Sequence, residues 1–266
     1  MIYVPERELA TEMIPKEYDS DGVSVSGYIP KAENFVSRVV KPFPNELLIP
    51  EIEWPERLKE MQTKQLLMSD IINRATEKYN IHWLNQNPTN YCWCYAVVHA
   101  VMILRIWANE PYKRLAPASA ACIIKNYRNI GGWGSQALDH IAVHGVADEE
   151  HWPQPTAMRA ITEGRQYEES SRANALEHRI LEWWDVKTLE AKMSCLFRHI
   201  PVPCGYLHMG HEMCSIDPHW SDAKGWGSLD LDSYARNDGK YNSQILYGKK
   251  AVGDDMVAPA VTCTIQ

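Results

Sequence analysis

Residues 85–93 read NQNPTNYCW, a polar loop with a proline that gives way to an apolar run at Cys92. Trp93, Val97, Val101, Leu104 and Ala108 recur at helical spacing, and Asn109 with Pro111 ends the pattern. The spacing therefore predicts a helix over 92–108 with Cys92 at its mouth. A thiol at a helix start feels the positive end of the dipole and nearby amide N–H groups, both of which favour the nucleophilic thiolate. Cys94, two positions on, points about 200° round the helix. Cys92 is thus expected to be partly exposed and Cys94 buried. Gln86, earlier on the same loop, carries an amide that can donate to an oxyanion together with the Cys92 backbone N–H.

On either side of this segment the texture of the chain divides. Residues 1–54 are punctuated by Pro5, Pro15, Pro30, Pro42, Pro44 and Pro50 and show little apolar periodicity, which predicts an extended arm. Its apolar residues must lie on this domain or on a protein partner. A helix can begin at Pro55. Leu58, Met61, Met68, Ile71, Ile72, Ala75 and Tyr79 then mark one face as far as Asn80. Further helices are expected over 117–127 and from Ser135 to Gly145. The charged stretch 163–172 and the acid run Asp148-Glu149-Glu150 read as solvated loops. From about residue 176, strands are expected at 180–186, 202–207, 242–247 and 260–266, with a helix over 188–199. Trp183-Trp184 reads as strand packing. A helical part, about 55–175, followed by a mostly β part, about 176–266, is an α+β architecture.

Composition removes several classes of function. The 27 basic and 34 acidic side chains leave a formal charge of −7, which argues against a nucleic-acid scaffold and against a polybasic membrane anchor. The most apolar stretch, 92–108, contains His99 and Arg105 and is short for a membrane span. The first residues carry acids and no apolar run, so no secretory signal is expected there, and the location expected is cytoplasmic or within an assembled particle. Seven scattered cysteines do not form a secreted disulfide framework.

Three features carry possible chemistry: Cys92, the distant His211 within GHEM, and the carboxylates of Asp230-Leu231-Asp232-Ser233-Tyr234. A thiol, an imidazole and a polar orienter in that order can supply a nucleophile, a base and a group that fixes the base. Asp232 is the expected orienter, with Asp217, Asp230 and Asn237 as rivals. A metal reading competes, since Cys204, His208, His211, Cys214 and His219 stand at ligand-like spacings. On a continuous strand, however, His208 and His211 would face opposite sides.

The segment around Cys92 resembles the nucleophile segment of papain-like cysteine peptidases, NQ followed by five variable residues and CW, with Gln86, Cys92 and Trp93 in register. Other pieces follow in the family's order. LAPASAACI from Leu115 resembles its second helix, and GGW at Gly131, Gly132 and Trp133 its groove-lining glycines. ALDHIAVHGVADEEHWP over 137–153 and LEAKMSCLFRHIPVPCGYL over 189–207 resemble later family segments. GHEM stands where the family has its catalytic His, and DSY at 232–234 where it usually has NSW. The sequence also departs from the pattern. Asn87 replaces the family's glycine, Thr89 replaces a disulfide cysteine, and residues 1–50 contain no recognisable inhibitory prosegment.

The resemblance, over roughly residues 50–266, implies a two-lobe fold in which a helical lobe faces an antiparallel β-barrel-like lobe. It implies hydrolysis of peptide or protein substrates with Cys92 as nucleophile, His211 as base and then acid, Asp232 as orienter and Gln86 in the oxyanion hole. Trp93 would pack beneath the site, and Gly131, Gly132 and Trp133 would line the substrate groove. No metal or cofactor is implied. Two other readings remain open: a papain-fold subunit of an assembly such as a virion, and a non-peptidase amidase or acyltransferase.

Overall fold

The computed structural model describes residues 40–234 and 240–259. Most of the expected arm, the rival orienter Asn237 and the strand expected at 260–266 lie outside the described residues. The part of the arm that is described packs against the rest of the chain. Strand β1 (Val40–Pro42) pairs in parallel with β2 (Trp183–Asp185). Phe43 meets Trp184 edge-on at 5.6 Å. Ile49 is buried, and its N–H donates to Ser194 Oγ at 2.8 Å.

The single helix expected from Pro55 to Asn80 is two helices, α1 (Trp54–Thr63) and α2 (Met68–Tyr79). Backbone capping explains the break. Gln65 takes a left-handed conformation with φ 53°, Leu66 N–H donates to Met61 O, and Gln65 N–H donates to Gln62 O. This paired pattern satisfies the last carbonyls of a helix and ends it. The new start is held by Asp217, whose carboxylate accepts from Met68 N–H at 2.7 Å and Ser69 N–H at 3.1 Å.

Helix α3 (Cys92–Trp107) is buried on every side from Cys92 to Leu104. A helix apolar all round belongs between two cores. Ala96, Ala100 and Ile103 join the core that holds α1, α2 and the sheet. Trp93, Val97, Val101 and Met102 join a second core with α4 (Pro117–Ile124) and α5 (Gly134–His144). The charged stretch expected to be a loop is helical instead, with α6 (Arg159–Glu163), a 3-10 turn and α7 (Glu168–Glu177). Its charges stay on the outer face while Ser171 and Asn174 turn inward. Asp148 is also not solvated. It is buried and accepts from Asn174 Nδ2 at 3.1 Å.

Helix α8 (Leu189–Leu196), within the helix expected over 188–199, opens with Thr188 as N-cap accepting from Ala191 N–H. The remaining strands are β3 (Val202–Tyr206), β4 (His211–Ser221), β5 (Gly225–Asp232), β6 (Asn242–Tyr247) and β7 (Asp255–Pro259). They form an α+β arrangement around one sheet of order β1-β2-β7-β3-β4-β5-β6, antiparallel except at β1–β2. Among the described residues the sheet is open, with β1 and β6 at its edges, so the barrel-like lobe is not a closed barrel. No helix among them is long and apolar enough to cross a membrane.

Candidate active site

The site forms where the head of α3 meets the ends of β4 and β5. His211 is the first residue of β4, after a turn in which Gly210 adopts a left-handed conformation. Asp232 is the last residue of β5. The ladder pairs Cys214 with Leu231, so one step further sets Asp232 opposite Met213, on His211's face and diagonal to it. His211 Nε2 lies 3.0 Å from Asp232 Oδ1, which also accepts from Tyr234 N–H at 3.0 Å. The Cys92 thiol neighbours the same imidazole and acts on its charge. The three residues named from sequence as nucleophile, base and orienter therefore come together.

The same ladder explains why the rivals do not orient His211. Asp230 shares its face, but its carboxylate accepts from Tyr206 Oη at 2.5 Å and Ser228 Oγ at 2.7 Å. Asp217 lies beyond a register shift between Ser215 and Asp217. The extra residue turns its side chain to the opposite face, toward α2. The ligand-like spacing of Cys204, His208, His211, Cys214 and His219 is likewise dispersed, since His208 sits in a 3-10 turn between β3 and β4. Among the described residues no group of His, Cys, Asp and Glu is disposed to hold a metal ion.

Electrostatics follow from this packing. Burial draws the His211 pKa down, but the charges of Asp232 and Cys92 and hydrogen bonds to both push it up to about 10. Asp232 is raised by burial, yet the His211 charge and hydrogen bond hold its carboxyl below the usual range. Cys94 is buried, as expected, and burial pushes its pKa well up. The expectation that Cys92 is partly exposed is not met, since its exposure is 0%. Its partners from the β lobe, invisible in the local sequence, account for this. His211 and Tyr234 stack with centroids 5.6 Å apart, and both interact with the thiol.

Gln86 is buried and knits the loop to the end of β5. Its backbone N–H donates to Ser233 O at 2.9 Å, and its Oε1 accepts from Ser233 Oγ. Its Nε2 donates to Thr89 O at 2.9 Å and to Tyr234 Oη at 3.0 Å. Trp93 is buried under the GGW turn, where a Cβ on Gly132 would stand 2.7 Å from the indole. That contact alone requires a glycine at 132. Lys125 Nζ lies 4.9 Å from the Trp93 ring and 5.1 Å from the Trp133 ring, bracing the turn from below.

Sequence reasoning gave no role to Tyr234 or to Glu212. Tyr234 was noted only as a variant of the family's Trp, although its hydroxyl is what distinguishes it. Glu212, next to His211 but on the opposite strand face, pairs across β3 with Gly205, which also pairs with Asp255. Burial and the Asp255 charge push the Glu212 pKa far up, and its carboxyl lies against Gly134 at the start of α5.

No protein-family model matches the sequence, and no curated protein is similar to it at a significant level. Solved structures do match. Xylellain, a cysteine protease from Xylella fastidiosa, superposes with a TM-score of 0.60 at 12% identity over 89% of this chain and 96% of its own. Bromelain from Ananas comosus, solved with the E64 inhibitor, matches with a TM-score of 0.51 at 15% identity over 69% of this chain and 96% of its own. The digestive procathepsin L 3 of Tenebrio molitor matches with a TM-score of 0.54 at 12% identity over 67% of this chain and 66% of its own. The likeness is one of backbone arrangement, and the chain has the papain-like fold.

Proposed function

We propose that this protein is a cysteine peptidase that hydrolyses peptide bonds through an acyl-enzyme. The observation that carries the reading is His211, bonded to Asp232 through Nε2 and raised in pKa by the neighbouring Cys92 thiol at the head of α3. In the first step His211 takes the Cys92 thiol proton as Sγ attacks the substrate carbonyl carbon. A C–S bond forms and the carbonyl π electrons move onto oxygen. As that intermediate collapses, the C–N bond breaks and the amine leaves with a proton from His211. Water then attacks the thioester, His211 takes its proton, and the C–S bond breaks to release the acid and restore the thiol. Asp232 holds the imidazole ring and stabilises its charge. The Gly131-Gly132-Trp133 turn, with Trp93 packed beneath it, forms the wall along which a peptide would lie.

The test is covalent. A peptidyl epoxide such as E64, together with a panel of fluorogenic peptide amides, should label Cys92 in stoichiometric amount and be hydrolysed, respectively. The Cys92→Ala variant should do neither. Stoichiometric labelling without turnover of any amide would favour an assembly subunit with a residual site. Turnover confined to small amides would favour an amidase.

A further inference from the structure

Gln86 has two amide N–H bonds, and the protein itself uses both. One donates to Thr89 O at 2.9 Å and the other to Tyr234 Oη at 3.0 Å. The amide cannot turn over, because its Oε1 accepts from Ser233 Oγ. Nothing on that side chain is left for a substrate oxygen, although its position suits the role. The Tyr234 hydroxyl stands in its place. Its oxygen accepts from Gln86, so its own hydrogen is free to point away from the amide. The ring is stacked on His211 at 20° between planes, and the phenol feels the charge of Cys92. The backbone N–H of the same residue is tied to Asp232 at 3.0 Å.

From this geometry we infer that the Tyr234 hydroxyl is the side-chain donor of the oxyanion hole, and that Gln86 is a positioning residue that holds and polarises it. The inference rests on the peptidase reading above. A substrate carbonyl attacked by Cys92 places its developing O⁻ beside the thiol, on the Gln86 side of the cleft. There the phenol O–H donates one hydrogen bond and the Cys92 backbone N–H another, with no proton transferred. A chain of Gln86 N–H to Tyr234 O–H to O⁻ polarises each link. Burial, with the charges of Cys92 and Asp232, pushes the phenol pKa up to about 12, so the O–H persists through the working range. Because the Tyr234 side of the stack is 37% exposed, removing its hydroxyl leaves the fold intact.

The experiment compares wild type, Tyr234→Phe, Gln86→Leu and the double variant with three reagents. Peptide amides report turnover. A peptide aldehyde adds Cys92 Sγ to its carbonyl carbon and so forms the oxyanion. Iodoacetamide forms a thioether with loss of iodide and makes no oxyanion. Tyr234→Phe keeps the stacked ring. It should lower kcat about 10- to 100-fold with KM within about twofold, and weaken the aldehyde by a similar factor. Its iodoacetamide rate at Cys92 should stay within about twofold of wild type. Gln86→Leu should lose less, and the double variant no more than Tyr234→Phe, because the two act through one hydrogen. A Tyr234→Phe protein equal to wild type in kcat and aldehyde affinity overturns this inference alone. One faster than wild type overturns it too, by showing that the hydroxyl blocks the hole. If wild-type Cys92 reacts with iodoacetamide but the protein neither turns over peptides nor binds the aldehyde, the peptidase reading fails and this inference falls with it.

Discussion

Two charged networks lie on the same face of the sheet, and they are built for opposite ends. In the first, Lys192 Nζ donates to Ala251 O at 2.6 Å and to Tyr206 Oη at 3.2 Å, and lies 4.0 Å from Asp230. Tyr206 and Ser228 both donate to Asp230. Lys192, Tyr206 and Asp230 are all fully buried, and each charge has its partners within the network. In the second, the side chains of His211 and Asp232 keep 14% and 19% of their exposure, and the network ends in a thiol. The comparison separates two uses of buried charge. A closed network with every group paired fixes a structure. A network with an accessible imidazolium and a nucleophile at one end has unspent capacity that a substrate can take up.

The comparison breaks first at Cys92. Replacing it by Ala should reduce peptide turnover by about 10⁴-fold or more, because members of such a unit act together. The thermal midpoint should hardly move, since a buried Cys packs as a small apolar group. A variant that retains even a tenth of the activity would show that the thiol is not the nucleophile. Lys192→Met should do the reverse. It strands the Asp230 carboxylate without its cation and should cost about 3–5 kcal/mol of stability. Urea denaturation reads that loss, while kcat per folded molecule, fixed by active-site titration, should stay near wild type.

Asp232→Asn sharpens the contrast, because it keeps a hydrogen-bond acceptor and removes only charge. The negative charge of Asp232 is the largest influence raising His211 toward about 10. In wild type the imidazolium survives neutral pH and is lost as pH climbs through that value. The stability it contributes is whole below the ordinary value of 6.5 and fades over the same climb. In the variant the alkaline limb of kcat/KM should move to lower pH, and turnover at neutral pH should fall about tenfold. An unchanged alkaline limb would mean that another group holds the ring.

How much of this could be read in the chain depends on where the partners lie. Cys92, Gln86 and Trp93 were legible because a loop and the helix it opens are local. The Gln86 side chain was legible as polar and near the thiol, but not as already engaged, since its partners Ser233 and Tyr234 are far along the chain. Strand β5 shows a different failure. Ser228, Asp230 and Asp232 alternate with Leu229 and Leu231, a clean period of two, yet no strand is among those expected there. Those acids face inward because Lys192, Tyr206 and His211 meet them there. The break between α1 and α2 was hidden for a similar reason, since the apolar face runs on through a cap that only the backbone reveals.

The smallest effect belongs to Asp217, which the sequence offered as a rival orienter and the bulge in β4 turns to the other face. It accepts from Met68 and Ser69 N–H and so starts α2 in place of a side chain from that helix. Asp217→Ala should leave kcat/KM and its pH profile unchanged and cost about 1–2 kcal/mol, the usual loss for an N-terminal cap. The pH dependence has a definite sign. Burial pushes the Asp217 carboxyl up to about 6 from 3.8, against the pull of the two backbone hydrogen bonds. The folded state therefore holds this proton more tightly than the unfolded chain. The stability that the group adds is full below 3.8 and declines as pH rises through about 6. The gap between wild type and variant should be wider near pH 4 than near pH 8 in parallel urea melts. A gap that widens with rising pH would mean that the carboxylate charge, interacting with the start of α2, outweighs its burial.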